Sequence, residues 1–101
     1  MRVIELGGRE IKIVGSPLTP LYYKREFNQS LSGDLMKMDR LMNNPALFDD
    51  VDLLQMIWAM EKTTEMGKLK DFESWLADFE YLDLSNVMED VFKEAMNATF
   101  C

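Results

Sequence analysis

Two groups of carboxylates stand close enough along the chain to act together, Asp49-Asp50-Asp52 and Glu89-Asp90-Glu94. Such pairs do acid–base chemistry on glycosidic bonds when they face one another across a cleft with their pKa values pushed apart. No spacing here predicts such a cleft, and helix starts or solvated helix faces account for each carboxylate. The Asp50–Asp52 fragment also lacks the glycine and the distal glutamate of a calcium loop. The sequence contains no histidine, which removes Ser/His/Asp and Cys/His arrangements together with the commonest metal ligand. Its one cysteine, Cys101, is the last residue, a position that suits an adventitious cross-linker better than a nucleophile. The expectation is a protein that is not an enzyme and that has no metal and no cofactor.

What the chain has in abundance is adaptable apolar surface. Nine of its 101 residues are methionine, a side chain that fills irregular gaps and suits binding surfaces that must fit more than one shape. Lys24-Arg25 beside Tyr22-Tyr23 is a basic–aromatic cluster of the kind single-strand binders use. Two cations against a net charge of −7 are too few, so no nucleic-acid partner is expected. The charge is unevenly spread. Residues 1–48 carry seven basic and five acidic side chains, a balance of +2, whereas residues 49–101 carry four and thirteen, a balance of −9. An acidic half repels phosphate backbones and favours a basic partner through encounter rate and selectivity; it also keeps a small domain soluble.

At this length, with 48% hydrophobic residues, the chain reads as a single domain, 1–101, able to bury a core. No run approaches the roughly 18 apolar residues of a membrane span, and Met1-Arg2-Val3-Ile4-Glu5 does not begin a secretory signal. A cytoplasmic protein with no membrane partner is the expectation.

The elements that must position these side chains begin with a β-hairpin over residues 2–14. Gly7-Gly8 supplies the two positive-φ positions of a type I′ turn, which pairs Leu6 with Arg9, Ile4 with Ile11 and Arg2 with Ile13. Ile4, Leu6, Ile11 and Ile13 then share one face, opposite Glu5, Glu10 and Lys12. A lone hairpin is barely stable, so that face must cover helices or join another sheet; a free outer edge could pair with a second copy.

Residues 19–100 read as helical. Thr19-Pro20 looks like an N-cap followed by proline at the first helical position, with Tyr23, Phe27 and Leu31 on one stripe. Ser32-Gly33 is expected to break or kink this helix, and Asp34 to cap a second one that ends at Asn43-Asn44-Pro45. Asp49, Asp50 or Asp52 starts a third helix on which Val51, Leu53, Leu54, Met56, Ile57, Trp58 and Met60 cover more than half the circumference, with Glu61 among them. Such a helix is either central to the bundle or carries a second, partner-binding face, and the need of a small domain to bury something favours the former. Met66-Gly67 closes it. A short helix follows with Phe72, Trp75, Leu76 and Phe79, and Asp71 near its start. The last begins near Ser85 or Asn86, with Val87, Met88, Val91, Phe92, Ala95 and Met96 inward and Glu89, Asp90, Lys93, Glu94 and Asn97 outward. The fold class is therefore mainly α (α+β), a hairpin followed by four to five short helices.

The stretches Tyr22-Tyr23-Lys24-Arg25-Glu26-Phe27, Asp34-Leu35, Leu54-Gln55-Met56-Ile57-Trp58-Ala59-Met60 and Phe72-Glu73-Ser74-Trp75-Leu76, in this order after a hairpin, carry a resemblance that spans most of the chain. It resembles the tail assembly chaperones of long-tailed phages and prophages of Gram-positive bacteria. What the resemblance implies is a non-enzymatic protein that binds the tape measure protein, keeps it soluble while tail tube protein subunits assemble around it, and is not retained in the mature tail. The family is often made in two forms by a translational frameshift. This chain would match the short form, with Asn97-Ala98-Thr99-Phe100-Cys101 where the extension departs.

A holdase needs exposed apolar area and several modest contacts on many copies, so a homo-oligomer is expected. Tyr22, Tyr23, Phe27, Met56, Trp58 and Met60 are the candidate partner-binding residues, since adjacent Tyr22 and Tyr23 cannot both face inward and the third helix is apolar over so wide an arc. A second reading is an acidic phage inhibitor that mimics DNA and blocks a host nucleic-acid-binding protein, acting through Asp78, Glu80, Glu89, Asp90 and Glu94. A third is a structural subunit of the tail itself.

Overall fold

The computed structural model describes residues 1–41 and 49–99. It begins with β1 (Arg2–Leu6) and β2 (Arg9–Ile13), an antiparallel pair in the expected register, Arg2 opposite Ile13, Ile4 opposite Ile11 and Leu6 opposite Arg9. Gly7 and Gly8 take φ of 58° and 78°, which only glycine holds without strain at two successive positions. Ile4, Leu6, Ile11 and Ile13 are buried, so the two-stranded sheet lays its apolar face on helices.

Among the described residues five helices follow: α1 (Leu18–Phe27), α2 (Leu31–Leu41), α3 (Asp50–Thr64), α4 (Phe72–Ala77) and α5 (Met88–Thr99). The expected class, a hairpin followed by short helices, is the architecture found. α3 is the central element. Every residue from Asp52 to Met60 is buried, more than two full turns with no solvent face. It packs under β2, against α1 and against α5, and its wide apolar arc is explained by neighbours on several sides. One buried cluster joins hairpin and helices, from Ile4 and Leu6 through Tyr23, Leu35 and Trp58 to Val91 and Ala95.

The caps of α3 and α4 are as read. Asp49 accepts from the Val51 N–H at 2.9 Å, and Asp71 accepts from the Ser74 N–H at 3.2 Å. α3 closes at Met66 and Gly67, both at positive φ. The start of α1 differs. Thr19 lies inside the helix and is buried, its Oγ1 accepting from the Ser16 N–H and bonded to Thr63 Oγ1 at 2.8 Å, while Pro17 occupies the cap position without a side-chain bond.

The break between α1 and α2 comes earlier than Ser32-Gly33. Asn28 adopts the left-handed conformation at φ 54°, ends α1 with an N–H bond to the Lys24 carbonyl, and leaves Ser32-Gly33 in the first turn of α2. Asp34 therefore does not cap; it lies in that first turn and binds Tyr23. α5 starts at Met88, two to three residues later than read. Asn43-Asn44-Pro45 lies outside the described residues.

Candidate partner-binding surface

Of the six side chains proposed from sequence to meet a partner, four lie in the interior and two are partly exposed. Tyr23, Met56, Trp58 and Met60 have no exposed surface, and Phe27 and Tyr22 are half-buried. The reason is tertiary: α3 is covered on every side, so its second apolar face meets the hairpin and α1 rather than solvent. Phe27 is the hub of an aromatic seam. Its ring centroid lies 5.1 Å from Tyr23, 5.4 Å from Trp58 and 4.9 Å from Phe72, each edge to face. The seam continues from Phe72 to Trp75 and Phe79, where the Arg9 guanidinium sits 4.9 Å above the last ring. Tyr22 joins through Lys62, whose ammonium lies over both the Trp58 and Tyr22 rings. Met56 and Met60 are core members without a part in this seam.

Polar anchors hold the seam. Trp58 Nε1 donates to the Lys70 carbonyl at 2.9 Å, and Trp75 Nε1 donates to Glu61 Oε1 at 2.6 Å. Burial raises the Glu61 pKa above the usual carboxylate range, although the indole bond opposes that shift. The Tyr23 hydroxyl reaches Asp34 Oδ2 at 2.5 Å and Gln55 Oε1 at 3.1 Å, tying α1, α2 and α3 at one point. Burial and the adjacent Asp34 carboxylate push that phenol far above its ordinary range, so it stays protonated.

Five of the six carboxylates in the two sequence groups have structural partners, and Asp50 is exposed in the first turn of α3. Asp49 is a cap, Asp52 is buried against Lys37 at 2.9 Å, Glu89 pairs with Lys93 at 2.8 Å, and Asp90 lies 3.4 Å from Arg2. Glu94, read as solvent-facing, is buried: Oε2 accepts from Arg2 Nε and Oε1 from the Gly15 N–H. Among the described residues no group of three or more acidic, cysteine or histidine side chains is placed to hold a metal ion. No helix among them is long and apolar enough to cross a membrane.

A different surface is open to a partner. Beside β1 runs an open cleft of about 340 Å³, walled by Val3 and Glu5 of the strand, Gly8 of the turn, Tyr81 and Asp83 of the segment entering α5, and Asp90 of its first turn. Val3 is 53% exposed and Tyr81 60%, with Met1 and Leu82 also exposed beside them along the chain. Tyr81 and Phe79 lie across the hairpin turn, so closely that a Cβ at Gly7 would strike the Tyr81 carbonyl. Asp83 is held below the usual carboxylate range by bonds from the Ser85 hydroxyl and N–H. No protein-family model, no curated protein and no solved structure matches this chain. The cleft was not read from the sequence. Its one local signal was Val3, the apolar residue on the hairpin's outer face among Glu5, Glu10 and Lys12.

Proposed function

We propose that this chain is a phage tail assembly chaperone, a cytoplasmic protein of the infected or lysogenic host that binds the tape measure protein. In this reading it also helps recruit the tail tube protein and leaves before the tail is complete. The sequence stretches quoted above are its basis. The structural observation that supports it is the apolar side chains left in solvent around an open strand edge, Met1, Val3, Tyr81 and Leu82. Such a surface suits adaptable binding of another polypeptide. Self-association belongs to the same reading, because several weak contacts on many copies give reversible retention.

The DNA-mimic reading needs free carboxylates. Asp78 is paired with Lys70, Glu89 with Lys93, and Asp90 and Glu94 with Arg2, so of the five only Glu80 has no basic partner among the described residues. This weighs against it.

Co-expression with the tape measure protein of the same genome tests the proposal. Soluble tape measure that co-purifies with this chain is the expected result. A tape measure that stays insoluble, with nothing co-purifying, rejects it.

A further inference from the structure

The two outer edges of the hairpin are treated differently. A two-residue turn closed by Leu6 and Arg9 makes Leu6–Arg9, Ile4–Ile11 and Arg2–Ile13 the pairs that exchange hydrogen bonds. Val3, Glu5, Glu10 and Lys12 therefore direct their N–H and C=O groups away from the partner strand. On β2 α3 lies along one end of that edge: Thr64 Oγ1, which bonds the Glu61 carbonyl at 2.7 Å, is 3.2 Å from the Lys12 carbonyl, and just beyond the strand the Val14 N–H reaches the Met60 carbonyl. On β1 the outward groups of Val3 and Glu5 have no bonded partner among the described residues, and they face the cleft toward Tyr81, Asp83 and Asp90.

We propose that the outer edge of β1 is a docking site for an extended polypeptide segment carrying basic side chains, which joins the hairpin as a third strand. Main-chain bonds to Val3 and Glu5 supply the attachment, as in strand addition to other open edges. Val3 and the Tyr81 ring offer apolar contact to alternate side chains of the incoming strand. Charge selects the occupant. Glu5 and Asp83 line the cleft without a basic partner among the described residues, Asp90 beside them shares Arg2 with Glu94, and no lysine or arginine lines it. A second copy of the chain is disfavoured at this edge. Pairing β1 with its own copy about Ile4 sets two such acidic clefts against each other, in molecules of net charge −7. The inference goes beyond the proposed function, because it depends on the strand edge and not on which protein supplies the segment.

The test uses the full chain, labelled for NMR, and an eight-residue peptide alternating lysine and valine, with the glutamate–valine peptide as control. The basic peptide is expected to slow amide exchange at Val3 and Glu5 by about tenfold or more. It should also bind at least about tenfold more tightly than the acidic one, with an advantage that shrinks in salt. Glu5→Lys should narrow or reverse that preference. Val3→Pro, which deletes one outward N–H and no ladder bond, should abolish binding while the Ile4 and Ile11 amides stay protected. Equal binding of both peptides, or peptide contacts confined to the helices, overturns the proposal. So does protection of Val3 and Glu5 that grows with protein concentration in the absence of peptide, which would give the edge to a second copy.

Discussion

Arg2 and Glu94, 92 positions apart, meet at 2.9 Å, and this contact fastens the first strand to the last helix. Glu94 is buried and spends its second oxygen on the Gly15 N–H, so one carboxylate holds both ends of the hairpin against α5. Glu94→Ala leaves the Gly15 N–H without its acceptor and the half-exposed Arg2 guanidinium with Asp90 alone, at 3.4 Å. A loss of about 2 kcal/mol in urea unfolding is expected, with Glu94→Gln losing less because it keeps an acceptor.

Gly15 is where the hairpin's exit passes closest to α5. A Cβ there would run into the Glu94 carbonyl oxygen and approach the Ala98 nitrogen, both backbone atoms that cannot rotate aside. Gly15→Ala is expected to destabilise by about 1–3 kcal/mol, whereas exposed Gly33→Ala in the first turn of α2 should be neutral or mildly stabilising. Paired thermal melts separate the two.

Glu61 makes stability pH-dependent in an unusual direction for a carboxylate. Its folded pKa is raised, chiefly by burial, so the native state binds the proton more tightly than the unfolded chain. The stabilisation is present below the unfolded pKa and is lost as pH rises through the folded one. Glu61→Gln removes that ionisation and keeps an oxygen for the Trp75 indole. Relative to wild type it should gain stability between pH 4 and 7, measured as the difference in unfolding midpoint at each pH. A constant difference across this range would show that Glu61 titrates normally.

Asp71, Asp78, Asp83 and Glu89 have the opposite sign. Each is held low by hydrogen bonds, from Ser74, Lys70, Ser85 and Lys93 respectively. Their contributions are lost as pH falls through the depressed folded values, so acidification below pH 4 should reveal them as the Glu61 effect ends. These groups lie at the surface, and the change should shrink in high salt.

Trp58→Ala tests the reassignment of the aromatic residues. The side chain is fully buried, packs against Phe27 and Phe72, and donates to Lys70, so its removal should cost about 3–5 kcal/mol. Any loss of partner binding in this variant should track the unfolded fraction. Tyr23→Phe, which removes the one hydroxyl that Asp34 and Gln55 share without opening a cavity, should cost about 1–2 kcal/mol and leave binding by the folded fraction unchanged.

Local rules were enough for some elements and insufficient for others. Gly7-Gly8 set the turn, and the turn set the register, because strand pairing next to a two-residue loop has one solution. Asp49 and Asp71 were legible as caps because their partners lie two or three residues away. Asn28 was missed as a helix terminator because its left-handed φ competes with the more obvious glycine at 33. Glu94 was placed on the wrong face because its partners, Arg2 and Gly15, come from the other end of the chain, and helical periodicity carries no information about them.

The same distinction separates the two candidate surfaces. Residue type by itself determined the apolar arc of α3, the amphipathic α5, the lack of histidine chemistry and the acidic second half, all properties of composition and period. Whether that arc met water or protein was decided by packing. With α1, α5 and the hairpin laid around α3, burying Met56, Trp58 and Met60 removes more apolar area from water than leaving them for a partner. Packing also decided that α3 meets the β2 side of the hairpin while the outer edge of β1 stays open, because α3 can lie along only one side of a two-stranded sheet.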